Sequence, residues 1–226
     1  MPEATLADRL ARVAAVIAER RGVGGWPEPG IIAVTKTHGP EAVHAAVAAG
    51  LAMVGENRVQ EALAKQDACA DLSVAWHLIG GLQRNKARQA AGRFALIHSV
   101  DRIDLAEDIA RRTAAGARQA VLVQVNCSGE PQKGGVAPAA LPQLLEAIRA
   151  LPTLEVRGLM TMTAIDADEI GQHRTFAQLR GLRDTMQHEG HELPELSMGM
   201  SDDYPVAVEE GATLLRLGTV LFGPRE

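Results

Sequence analysis

The apolar positions of the chain follow two alternating rhythms. Leu6, Leu10, Val13, Val16 and Ile17 recur at helical spacing with charges between them, predicting an amphipathic helix over about 4–20. Gly22, Gly24, Gly25, Pro27, Pro29 and Gly30 then form one long breaker segment. Beyond it, short apolar runs alternate with helical patterns. Strands are predicted over 31–35, 52–55, 75–79, 94–98, 120–125, 154–160, 196–198 and 214–217. Helices are predicted from Pro40 to Gly50, over 57–69 and 83–91, around Leu105 and Ile109, and over 139–150, 169–188 and 203–210.

Eight runs separated by seven helices describe a parallel sheet with right-handed crossovers. An open doubly wound sheet and a closed barrel both obey that pattern. Eight strands in 226 residues favour an α/β fold of the (β/α)8 barrel type, one domain filling 1–226. No linker or solenoid repeat divides the chain. Few residues follow Leu217, so the N-terminal helix is expected to cover the gap between the last and first strands.

Composition then narrows the function. Apolar residues make up 46% and charged residues 23%, ordinary globular proportions. Two Trp, one Tyr and three Phe offer little for base stacking, and the net charge of −5 comes without a basic stripe. Nucleic acid is therefore not an expected partner. The apolar stretch 45–54 is too short to span a bilayer, and Met1–Thr5 does not open a signal peptide. Cys69 and Cys127 belong to no C-x-x-C pair and fit a reducing compartment. The expectation is a cytoplasmic protein with no membrane partner.

In such a barrel, chemistry gathers where strands end and βα loops begin. Lys36 follows the first strand, and it is one of only four lysines in the chain. An amine pointing into the barrel mouth can be held neutral and attack a carbonyl to form a Schiff base; the alternative is a solvated lysine or a simple anion binder. Ser201, Gly218 and Thr219 follow strands seven and eight, where barrels commonly hold phosphate. Ser201 is expected to cap the next helix, with Gly218 and Thr219 offering amides and a hydroxyl. Asp202 and Asp203 would oppose an anion if they faced it. Arg216 shares a strand face with Gly218 and so points the same way. An aldehyde-seeking lysine, a phosphate cup and a cation between them describe pyridoxal 5′-phosphate (PLP). His77 reads as a hydrogen-bonded core histidine or, failing that, a pocket residue, and Cys127 has no adjacent base.

Longer motifs carry a resemblance. The segments 32–37 (IAVTKT), 54–61 (VGENRVQE), 76–80 (WHLIG) with 82–86 (LQRNK), and 124–126 (QVN) with 133–135 (KGG) resemble the pyridoxal phosphate homeostasis protein family. So do 157–160 (RGLM), 196–203 (LSMGMSDD) and 216–219 (RLGT) with Phe222-Gly223. The resemblance implies a single barrel similar to the N-terminal domain of alanine racemase, with PLP bound as an aldimine on Lys36. Asn57, Met198, Ser201, Arg216, Gly218 and Thr219 match positions that line the cofactor site in that family. His38 stands where many members carry a second lysine, and Arg58 where many carry tyrosine.

Two functions follow. One is a PLP carrier that buffers or delivers cofactor without turnover, transiently meeting PLP-dependent apo-enzymes and expected to be a monomer. The other is a racemase-type enzyme, which needs a base on each face of the substrate α-carbon. In racemases the second base is a tyrosine brought by a further domain, and here the sequence is expected to lack that domain. The sole tyrosine, Tyr204, is expected beside the phosphate rather than opposite the lysine. A sugar-phosphate lyase on the same barrel would need an acid/base group beside Lys36 that the sequence does not place.

Overall fold

The computed structural model describes residues 4–130 and 133–223; 1–3 and 224–226, which the predicted domain included, lie outside the described residues. Eight parallel strands close into a barrel in chain order. They are β1 (Gly30–Val34), β2 (Met53–Glu56), β3 (Ala75–Leu78), β4 (Leu96–Val100), β5 (Gln119–Gln124), β6 (Leu154–Met160), β7 (Glu195–Ser197) and β8 (Leu214–Leu217). Closure comes from β1 pairing with β8, Ile32 opposite Arg216.

Strand alternation sorts the side chains. Ile32, Leu96, Leu122, Met160 and Leu214 fill the barrel interior. Their neighbours Ala33, Ile97, Val121, Val123, Leu159 and Leu215 face the helices and join the main core. One residue of slip would exchange the two sets, so the register fixes which polar groups face inward. On that parity His77, His98, Ser197 and Arg216 all point into the barrel.

The outer layer comprises α1 (Leu6–Gly24), α2 (Pro40–Ala48), α3 (Val59–Ala68), α4 (Ala87–Ala90), α5 (Ile103–Arg112), α6 (Leu141–Arg149), α7 (Glu169–His188), α8 (Tyr204–Glu209) and α9 (Thr219–Phe222). Helix α1 opens on a reciprocal cap between Thr5 and Asp8. It packs on α8 and α9, beside the β8–β1 seam that the sequence expected it to cover.

Some boundaries differ from the expected ones. Helix α1 continues through Gly22 to Gly24 and stops at left-handed Gly25 (φ 67°), so the breaker begins later than its first glycine. Strand β4 lies two residues further on than predicted, because Phe94 packs in the outer core before the strand begins. The helix predicted over 83–91 is a 3₁₀ turn at Arg84–Lys86 followed by one α-turn, ended by left-handed Gly92. Gly158 is required by close approach: a Cβ there would sit 1.9 Å from the Glu195 carbonyl oxygen across the β6–β7 pair.

Candidate functional site

The C-terminal ends of the strands surround a cavity of about 650 Å³, within the size range of small-molecule sites. Lys36, Asn57, Ser201, Arg216, Gly218 and Thr219 all line it. Strand β2 ends at Glu56, and Arg58 stays extended before α3, which leaves Asn57 at the rim. A Cβ at Gly80 would lie 2.2 Å from the Asn57 carbonyl oxygen, so β3's loop fits beneath Asn57 only with glycine there.

Arg216 forms the buried floor of this cavity, 4% exposed. Its Nη1 donates to Ser197 Oγ at 2.6 Å and its Nη2 to the Thr161 carbonyl at 2.9 Å. Burial lowers its pKa to about 10, with Asp203 opposing, so it remains cationic at neutral pH. Beyond it a polar chain crosses the barrel interior. Ser197 Oγ lies 2.9 Å from His98 Nδ1, and His98 Nε2 lies 3.0 Å from His77 Nδ1. Arginine only donates, so Ser197 accepts from it and has its own hydrogen for His98 Nδ1. That assignment makes His98 the Nε2–H tautomer, donating to His77.

Both imidazoles are held neutral. Burial pushes His77 down to about 4. His98 falls well below its ordinary value through burial first, then through the neighbouring His77 ring, which opposes a second proton, and the Arg216 charge. His77 of the unfolded chain therefore binds a proton near pH 6.5 that the folded chain refuses until about pH 4. This stabilisation is complete above pH 6.5 and is lost as pH falls toward 4, by about 3 kcal/mol for His77. Urea unfolding at pH 7 and pH 4.5 should show the loss, and His77→Gln should flatten it. An equal loss in the two proteins would contradict the assignment.

The loops after β7 and β8 meet at Ser201. Its Oγ accepts from Gly218 N–H at 3.3 Å and Val220 N–H at 3.2 Å, leaving its hydroxyl hydrogen to donate elsewhere. Ser201 is therefore not the cap of α8, as the sequence suggested; Asp203 occupies that position. Asp203 is turned away from the cavity, its oxygens accepting from Met200 N–H and Thr163 Oγ1, each at 2.6 Å. Asp202 does line the cavity. A Cβ on Gly218 would touch only Val34, at 3.5 Å, so packing does not demand glycine there and the cavity gains the space. Ser99, also in the wall, has its hydroxyl buried without a hydrogen-bond partner.

Most of the other residues to which the sequence draws attention fall outside the cavity wall. Met198 is wholly buried in the core outside the barrel, on the opposite parity to Ser197, and Met200 lines the cavity instead. Tyr204 begins α8 and packs into the core rather than beside the expected phosphate position. His38 lines the cavity and meets the Phe222 ring at a tilt of 41°, with centroids 5.3 Å apart. Arg58 is exposed and pairs with Glu61. Burial raises the Cys127 thiol to about 11, so it is no nucleophile at neutral pH. The network through His98, Ser197 and Thr161 does not emerge from motif reading; the inward parity of 77, 98 and 197 is the signal that could have found it.

Comparison with known proteins adds independent findings. Residues 9–226 match the family described as alanine racemase, N-terminal domain. The pyridoxal phosphate homeostasis protein of Pseudomonas aeruginosa is 46% identical over 225 residues, covering 98% of this chain and 96% of that protein. PipY of Synechococcus elongatus, in a structure with PLP bound, is 40% identical with a TM-score of 0.85, covering 97% of this chain and 100% of PipY. Alanine racemase of Corynebacterium glutamicum shares the fold at 17% identity and a TM-score of 0.71, over 94% of this chain and 61% of the racemase.

Proposed function

The chain belongs to the pyridoxal phosphate homeostasis protein family, and from that premise we propose that it holds PLP as a Schiff base on Lys36 and buffers or delivers it without significant turnover. The carrying observation is the convergence in one cavity of an amine, a buried cation bonded to neutral partners, and the Ser201 and Thr219 hydroxyls beside the space left by Gly218. Each matches one part of PLP: aldehyde, ring nitrogen and phosphate. The residues present therefore fit the group.

PLP supplies a reactive aldehyde and an electron-withdrawing ring. The protein's own residues set how far that ring can act. Arg216 stays charged, which disfavours a proton on a nitrogen beside it and weakens the ring as an electron sink. The only tyrosine of the chain, Tyr204, is buried in the core away from the cavity wall, so no phenol is placed there as a second base. Holding and releasing cofactor need only the lysine and the anion cup.

Two expected results test this reading. Holo-protein incubated with individual L-amino acids in deuterated water should exchange the α-proton and form the D-enantiomer far below ordinary enzymatic rates of about 1 s⁻¹ or more. Turnover at that rate restores the racemase-type reading. We also infer a monomer, meeting apo-enzymes transiently in the cytoplasm. Sedimentation should then give one monomeric species, and a concentration-independent dimer would overturn it. Among the described residues, no helix is long and apolar enough to cross a membrane.

A further inference from the structure

Lys36 is one of the two central residues of a tight turn closed by His38 N–H donating to the Thr35 carbonyl at 3.0 Å. The other is Thr37, with φ at 70°. A positive φ at this position defines a type II turn, where glycine or asparagine is the ordinary choice. Thr37 is the only non-glycine residue with positive φ among the described residues, and its branched Cβ makes that conformation more costly still. Such strain persists only where the surroundings over-determine the backbone.

The surroundings here are a buried ion pair. Lys65 Nζ on α3 donates to the Thr35 carbonyl at 2.6 Å and pairs with Glu56 Oε1 on β2 at 2.6 Å. The same Oε1 accepts from Thr35 Oγ1 at 2.6 Å. Carbonyl and side chain of Thr35 are thus both gripped, immediately before the strained turn. Thr35 and Glu56 are 0% exposed and Lys65 is 8% exposed. Glu56 Oε2 is buried with no hydrogen-bond partner. Buried pairs rarely out-stabilise apolar residues of similar size, so an incompletely satisfied one points to fixing a position rather than to stability.

We propose that Lys65 and Glu56 are positioning residues for Lys36: they hold Thr35 so that the chain must take the left-handed step at Thr37 that presents Lys36 to the cavity. The proposal rests on the reading that Lys36 holds PLP. Removing one partner strands a buried charge, so both are replaced together. Glu56→Gln/Lys65→Met protein should still unfold cooperatively yet bind PLP, followed by absorbance titration, at least about tenfold more weakly. Adding Thr37→Gly, which takes positive φ without strain, should recover most of that loss. If that variant does not fold, Glu56→Gln/Lys65→Gln, which is neutral and keeps hydrogen-bonding groups at both positions, carries the test, with weaker binding relieved by Thr37→Gly.

Unchanged affinity in the folded variant overturns the proposal, and so does a loss that Thr37→Gly leaves in place, since mere packing support gives no reason for that rescue. Failure of the functional reading is seen separately, as wild-type protein that takes up no PLP.

Discussion

Lys36→Ala protein mixed with PLP is expected to show no internal Schiff-base absorption band, and its cofactor should dialyse away. Only an amine at the cavity can make the covalent link, and Lys65, Lys86 and Lys133 do not line it. Lys65 is buried on α3 and engaged by Glu56 and the Thr35 carbonyl. Lys133 is engaged by Glu130 and the Thr163 carbonyl. The effect is therefore all-or-none in the band, while the fold should survive, because Lys36 sits at the cavity rim and not in the core. A band of unchanged height in the variant would exclude Lys36 as the point of attachment.

Pyridoxal lacking its phosphate should bind on the order of a thousandfold more weakly than PLP. Ser201 and Thr219 bring hydroxyls to the cavity, and Gly218 leaves space beside them, its own N–H already given to Ser201 Oγ. Hydrogen bonds to a charged partner contribute about 1.5–3 kcal/mol each, so two of them give about 4 kcal/mol, or three decades of affinity. Asp202 in the wall works against this, whereas Asp203 does not, because its oxygens are engaged by Met200 and Thr163. Ser201→Ala should weaken PLP selectively and leave pyridoxal nearly untouched. Equal affinities for the two vitamers, by titration calorimetry, would show that these loops are not the cup.

The barrel was legible because its signals are periodic. Eight short apolar runs specify the strands, and the alternation at Ile32-Ala33 and Leu214-Leu215 divides barrel interior from outer core. The placement of Lys36, Arg216, Ser201 and Gly218 at one end followed from the same rule. What the sequence hid depends on three-dimensional closure. Met198 was placed by resemblance, but its parity turns it outward, opposite to Ser197. Lys65 looked like any helical lysine, and nothing local shows that α3 lays it against Glu56 and Thr35. Likewise, His98 and Ser197 sit 99 positions apart and meet only because β4 and β7 face each other across the barrel. The strain at Thr37 is also invisible to pattern reading, since a threonine predicts no left-handed turn.

Covalent attachment of PLP at residue 36 is the claim on which the rest depends. Borohydride reduction of the PLP-loaded wild-type protein, followed by proteolysis and peptide mass mapping, tests it most directly. One reduced adduct is expected, on the peptide containing Lys36. An adduct confined to Lys65, Lys86 or Lys133, or no adduct from protein that has taken up PLP, would contradict it.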